Sequence, residues 1–245
     1  MNRYGIIGYP LTTCFSKPFF TEKFERERLS DSVYELFPLE DIEQFPDLCR
    51  QYPDLVGLNV TIPYKKAVIP YLTALSDSAQ RVGAVNVIKF LPDGSMIGYN
   101  TDIDGFEQSF KPLLSSIHQK ALILGTGGAA LAVAYSLTKL DIAYRFVSRT
   151  SSPTTLTYQE LKIHGWHGAN ILINTTPLGM KPRELEAPDI PYEQIAADFI
   201  CYDLIYEPSE TIFLQRSKSH GATIMNGLQM LHIQAIEAWK LWQEV

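Results

Sequence analysis

The run Lys120-Ala121-Leu122-Ile123-Leu124-Gly125-Thr126-Gly127-Gly128-Ala129-Ala130 constrains the fold more than any other stretch of the chain. Apolar residues stop at glycines and resume as an alanine-rich apolar helix, which reads as strand, tight turn, helix, the opening of a βαβ unit. Gly125 suits the turn, Gly127 lets backbone N–H groups approach an anion, and small Ala130 lets helix and strand pack closely. No Gly-Lys-Ser/Thr follows, so this is not the phosphate loop of an NTPase. The run is either a dinucleotide cradle or an ordinary glycine turn of an α/β protein, and a strand and a helix in register favour the cradle.

Short apolar runs alternate with amphipathic stretches through the rest of the chain, which predicts an α/β fold with mostly parallel sheets. Strands are expected over 3–8, 33–38 and 55–60, with helices over 17–28, 40–51 and from about 64. A hairpin is expected from 84–90 and 95–98 around Pro92-Asp93-Gly94. A second βαβ series starts at residue 120, with strands near 143–148, 170–174 and 199–204 and a polar loop over 151–157. Residues 102–119 read as a helix crossing between two domains. Leu228, Leu231, Ala235, Ala238 and Trp242 form a helical stripe that should dock back on the first domain. The expected division is 1–104 plus 226–245, a mostly parallel α/β domain, and 105–225, a Rossmann-type domain.

The 245 residues are 46% hydrophobic and 20% charged, enough to bury a core. Lys+Arg 21 against Asp+Glu 27 gives −6 with no basic run, which argues against nucleic-acid or anionic-membrane binding. Cys14, Cys49 and Cys201 are odd in number and form no CxxC pair, so reduced thiols in a cytoplasmic protein are expected. The five histidines show no ligand spacing, so no metal is expected, and there is neither a signal-peptide core nor an 18-residue apolar span.

About twenty residues beyond the glycines, where an NAD site offers a carboxylate to the ribose, this chain reads Ser148-Arg149-Thr150. A guanidinium with two hydroxyls suits the 2′-phosphate of NADP; the alternative is a solvated surface arginine. Asn59-Val60-Thr61-Ile62-Pro63-Tyr64-Lys65 ends a strand, where open α/β sheets bind ligands, with Asn59 and Thr61 on one face. Taken alone it reads as an ordinary strand end with solvated lysines. Asn100-Thr101-Asp102 is either functional or a helix cap, and 174–180 either lines a crevice or is a turn.

Taken together, these segments resemble the shikimate dehydrogenase family, in order and across nearly the whole chain. The matching segments are Gly8-Tyr9-Pro10, Asn59 to Lys65, Gly83-Ala84-Val85-Asn86, Asn100-Thr101-Asp102, the glycine loop, Ser148-Arg149-Thr150, Asn174 to Met180, Asp203-Leu204-Ile205-Tyr206-Glu207-Pro208, and Asn226-Gly227-Leu228 with Gln234. The resemblance implies a small-molecule enzyme, monomer or homodimer, whose first domain binds substrate and whose second binds NADP. It implies NADPH-dependent reduction of 3-dehydroshikimate to shikimate in aromatic amino-acid biosynthesis. Lys65 and Asp102 would form the catalytic dyad. Asn59, Thr61, Asn86 and Gln234 would bind substrate hydroxyls, with Ser16 and Tyr206 near the carboxylate. Gly125, Thr126, Gly127, Gly128, Ala129, Ser148, Arg149 and Thr150 would hold NADP, with Leu204 and Gly227 near the nicotinamide.

The chain departs from the family at two places. Thr13-Cys14-Phe15-Ser16 stands where His-Ser-x-Ser is usual, so Cys14 would meet the substrate carboxylate with a weakly bonding thiol, and Leu204 stands where Met is common. The alternatives to shikimate are quinate or aminoshikimate as substrate, a related folate dehydrogenase, or an NADP- or shikimate-binding sensor without turnover.

Overall fold

The computed structural model describes residues 1–11 and 15–244, so Cys14 lies outside the described residues. Two compact units divide the chain: Met1–Thr101 with Ala235–Val245, and Asp102–Gln234.

The first unit contains β1 (Asn2–Gly8), α1 (Ser16–Arg26), β2 (Ser32–Pro38), α2 (Phe45–Gln51), β3 (Leu55–Val60), β4 (Ala74–Leu75), α3 (Asp77–Val82), β5 (Val87–Phe90) and β6 (Met96–Tyr99). They form a six-stranded sheet, β2-β1-β3-β5-β6-β4. The β1, β2 and β3 pairings are parallel, whereas β5 runs antiparallel to β3 and β6, the expected hairpin. Alternation along β1 splits the core: Ile7 packs with Leu58 and Val60 on one face, Tyr4 and Ile6 with Phe20, Tyr34 and Trp242 on the other.

The second unit contains α4 (Asp102–Phe110), β7 (Lys120–Leu124), α5 (Gly128–Lys139), β8 (Ala143–Ser148), β9 (Thr155–Thr157), α6 (Tyr158–His164), β10 (Ile171–Asn174), β11 (Ile200–Asp203), α7 (Ile212–Ser219), β12 (Thr223–Met225) and the start of α8 (Leu228–Gln243). Its sheet, β12-β11-β10-β7-β8-β9, is parallel throughout. Its central strands β7, β10 and β11, buried almost throughout, carry the continuous apolar runs read from the sequence.

Several local expectations differ from the structure. Residues 62–68 are a chain of turns rather than a helix. The Lys65 carbonyl accepts the Val85 N–H (2.7 Å) and so is withdrawn from a helical ladder. The helix expected over 102–119 stops at Phe110 and a single 3₁₀ turn, Lys111–Leu113, follows. The loop expected over 151–157 contains β9, which extends the sheet beside β8. The units divide at 101/102 and 234/235 rather than at 104/105 and 225/226. Phe106, Phe110 and Met230 pack in the core of the second unit, whereas Ala235, Ala238 and Trp242 pack in that of the first.

Trp242 anchors the end of α8 within the first unit. It is 4% exposed, its Nε1–H donates to the Ile88 carbonyl (3.0 Å), and its ring lies 5.1 Å from Tyr4 and 5.3 Å from Phe20. Trp242→Ala should therefore cost about 3–5 kcal/mol, the usual range for a buried aromatic. Urea unfolding checks this, and an unchanged midpoint would show that the anchor is dispensable.

Candidate functional site

Polar side chains in a parallel α/β sheet gather at the carboxyl ends of the strands, because the strand interiors are packed on both faces. In the first unit, β3 ends with Asn59, 4% exposed, whose Oδ1 accepts the Tyr34 hydroxyl (2.6 Å). Thr61 follows on the same face, its N–H donating to the Ile7 carbonyl (2.9 Å). Asn86 precedes β5 and is 2% exposed. Its Oδ1 accepts the Thr101 N–H (2.7 Å) and its Nδ2 donates to Thr101 Oγ1 (3.0 Å). Lys65 is half-buried and is tied to this region through its carbonyl bond to Val85. Buried Ser16 opens α1.

The second unit carries Asp102 as the first residue of α4, 5% exposed, and Gln234, 8% exposed. The two share a corner: a Cβ on Gly105, one turn after Asp102, would lie 3.2 Å from the Gln234 Cβ and 2.6 Å from the Met230 carbonyl oxygen. Lys65 and Asp102 thus belong to different units, as do Ser16 and Tyr206.

The glycine run forms the predicted turn. Gly125 has φ +113°, and a Cβ there would strike Thr175 Oγ1 at 2.6 Å, so the protein itself demands glycine. Gly127 is different. It caps α5 in extended conformation with no side-chain cap, no acidic residue stands in the first turn, and an added Cβ would meet nothing within 4 Å. The space beyond it and the uncapped N–H groups of a twelve-residue helix suit a phosphate. Thr126 is exposed, Gly128 and Ala129 begin α5, and fully buried Ala130 packs the helix on the sheet. At the end of β8, Arg149 and Thr150 are exposed, while the Ser148 hydroxyl donates to the Thr150 carbonyl (2.7 Å). Dinucleotide chemistry therefore fits the residues present.

The strand end 203–206 presses on the start of α8. A Cβ on Gly227 would fall 2.0 Å from the Leu204 carbonyl oxygen, and the Gly227 N–H donates to the Ile205 carbonyl (3.0 Å). Leu204 and Gly227 are thereby brought together, with half-buried Tyr206 just beyond.

Asp203 organises this corner, although its sequence motif suggested no role for it. Fully buried, it accepts Asn174 Nδ2–H and the Ile205 N–H at Oδ1 (both 3.0 Å) and the Thr211 hydroxyl at Oδ2 (2.6 Å). Burial pushes its carboxyl up to about 6 against the pull of these three donors. An acid ending the apolar strand Ile200-Cys201-Tyr202-Asp203 is the signal that marks it. Cys49 and Cys201 are free thiols pushed up by burial to about 11 and about 12, which makes neither a nucleophile. Among the described residues, no group of His, Cys, Asp and Glu could hold a metal, and no helix is long and apolar enough to cross a membrane.

Residues 6–88 match the shikimate dehydrogenase substrate binding domain. The chain is 38% identical to the shikimate dehydrogenase (NADP(+)) of Carboxydothermus hydrogenoformans, over 98% of this chain and 91% of that one. It is similar in structure to a chorismate mutase/shikimate 5-dehydrogenase fusion protein from Clostridium acetobutylicum, with TM-score 0.88, 33% identity, and coverage of 100% of this chain and 92% of that one. The shikimate 5-dehydrogenase of Thermus thermophilus, in complex with NADP(H) and shikimate, gives TM-score 0.86, 28% identity, and coverage of 100% and 94%.

The raised Asp203 carboxyl makes a stability prediction. The folded state holds this proton up to about pH 6, whereas the unfolded chain releases it near the ordinary 3.8, so the folded state binds more protons between those values. The contribution of Asp203 to stability should fall as pH rises through that window, by about 3 kcal/mol in all, and stay flat above it. Urea unfolding of wild type and Asp203→Asn from pH 4 to pH 7 should give a difference that changes across the window. A constant difference would refute the assignment.

Proposed function

The chain belongs to the shikimate dehydrogenase family, and on that premise we propose that it reduces 3-dehydroshikimate reversibly to shikimate with NADPH. It is a cytoplasmic oxidoreductase of aromatic amino-acid biosynthesis, working as a monomer or homodimer. The observation that carries the reading is the turn at Gly127, where the protein supplies uncapped N–H groups with open space in front of them.

NADPH, when bound, supplies the hydride that adds to the substrate carbonyl carbon. The carbonyl oxygen then needs a proton, which the Lys65 ammonium delivers; in the reverse direction Lys65 takes the hydroxyl proton. Asp102 accepts from the reacting hydroxyl. Asn59, Thr61, Asn86 and Gln234 pair with the ring hydroxyls, as a polyhydroxylated substrate requires of a partly dry site. Ser16, Tyr206 and Cys14 serve the carboxylate. Gly125, Thr126, Gly127, Gly128 and Ala129 would hold the pyrophosphate of NADP, Ser148, Arg149 and Thr150 its 2′-phosphate, and Leu204 and Gly227 would lie by the nicotinamide.

Following NADPH absorbance with 3-dehydroshikimate, shikimate and quinate tests the activity. Turnover with the shikimate pair above quinate is expected, and absence of turnover with every substrate would leave a binding protein without catalysis. Lys65→Ala should lower kcat by roughly 10²- to 10⁴-fold with a far smaller change in KM. A rate within about threefold of wild type would remove Lys65 from the proton transfer.

Arg149→Ala should cut kcat/KM for NADP by about 10- to 150-fold, the worth of a charge-assisted contact, and leave NAD nearly unaffected. Equal losses with both cofactors, or a wild-type preference for NAD, would show that Arg149 does not read the 2′-phosphate.

A further inference from the structure

Tyr34 sits two strands away from Asn59. It lies on β2, Asn59 on β3, with β1 between them, and the register Tyr4↔Tyr34 and Ile6↔Asn59 puts both side chains on the face covered by α1. The ring reaches over β1 and is held there: it stacks on Phe20 with centroids 4.8 Å apart and planes 12° from parallel, and the residue is 2% exposed. Its hydroxyl donates to Asn59 Oδ1 at 2.6 Å. Among the described residues, this is the one hydrogen bond that the Asn59 amide makes.

A primary amide is ambiguous as a recognition group, because a half-turn exchanges its acceptor for its two donors at almost no change in shape. A phenol hydroxyl can donate to the oxygen end or accept from the nitrogen end, and here the buried Tyr34 hydroxyl donates, which fixes the oxygen end against it. We infer that Tyr34 is a positioning residue that locks Asn59 with its carbonyl turned inward and its Nδ2–H groups presented to the ligand, so that Asn59 reads a lone pair on a substrate oxygen and rejects a donor. The inference rests on the substrate-binding role proposed for Asn59 and deepens it, since it fixes which polarity of ligand atom that position accepts.

Tyr34→Phe keeps the ring and its stacking and removes only the hydroxyl. Steady-state kinetics with 3-dehydroshikimate and NADPH should show KM for the substrate raised about 3- to 10-fold, the order of one hydrogen bond. kcat should stay within about twofold and KM for NADPH should be unchanged. The NADPH value and the melting temperature report whether the variant is folded.

The decisive comparison is Tyr34→Phe in an Asn59→Ala background. If Tyr34 acts through the amide, Asn59→Ala alone raises KM and the second substitution adds nothing, within about twofold. A Tyr34→Phe effect of full size in that background would show that the Tyr34 hydroxyl acts other than through the Asn59 amide, and the inference falls. Asn59→Ala with raised KM but Tyr34→Phe with wild-type KM would overturn the positioning role and leave the site intact. Wild-type KM in Asn59→Ala would overturn the substrate role of Asn59 and the inference with it.

Discussion

A buried amide or carboxylate at the end of a parallel strand has no helix or ladder to satisfy it, so a neighbouring side chain has to do so. In this chain the neighbours decide what each strand end can bind. Asn174 spends its whole amide inside the protein: Oδ1 accepts from Thr176, and Nδ2 donates to Asp203 and to the Leu178 carbonyl. That makes it a strut for the loop after β10. Asn59 instead has its carbonyl oxygen held by the Tyr34 hydroxyl, and Asn86 is held at both ends by Thr101, whose N–H donates to its Oδ1 and whose Oγ1 accepts from its Nδ2. The same residue type thus meets different partners in the two units.

Asp203 shows the energetic side of the same constraint. Three donors converge on it and favour the carboxylate, but burial outweighs them, so the ionised Asp203 costs stability near neutral pH. Thr211 both donates to Asp203 and caps α7 by accepting the Leu214 N–H (3.3 Å), and the Ile205 N–H is drawn in beside Leu204 and Gly227. One carboxylate thereby sets the loop after β10, the end of β11 and the start of α7.

What is legible in the sequence follows packing. Long apolar strands such as Lys120–Leu124 and Ile171–Asn174 and the alanine-rich helix after the glycines stand out because burial on both faces fixes their residue type. Short elements held by caps escape such a reading, although their signals are present: Thr157 and Glu160 form a capping box on α6, and Ser76 and Thr211 cap α3 and α7. The turns over 62–68 are illegible for another reason. Their helix-like composition is overruled by long-range bonds, from the Tyr64 hydroxyl to the Leu39 carbonyl (2.6 Å) and from the Val85 N–H to the Lys65 carbonyl, which no local pattern encodes. The roles expected of the site residues come from the family resemblance of their segments, whereas Tyr34 and Asp203 lie 25 and 29 residues from the amides they hold, beyond the reach of any local pattern.

Charge explains why the site takes this form. A chain at −6 repels an anion at long range, so an acidic substrate and a phosphorylated cofactor have to be held by contacts that act only at close quarters. The groups proposed for binding suit that need: in the first unit the Asn59 nitrogen and Lys65, in the second the N–H groups at Gly127 and Gly128 and Arg149. The amide donors among them cost little in the folded protein because they are mounted on backbone or, at Asn59, clamped by a neighbour. They discriminate by geometry, accepting a ligand rich in lone pairs at fixed spacing and giving no general affinity for anions.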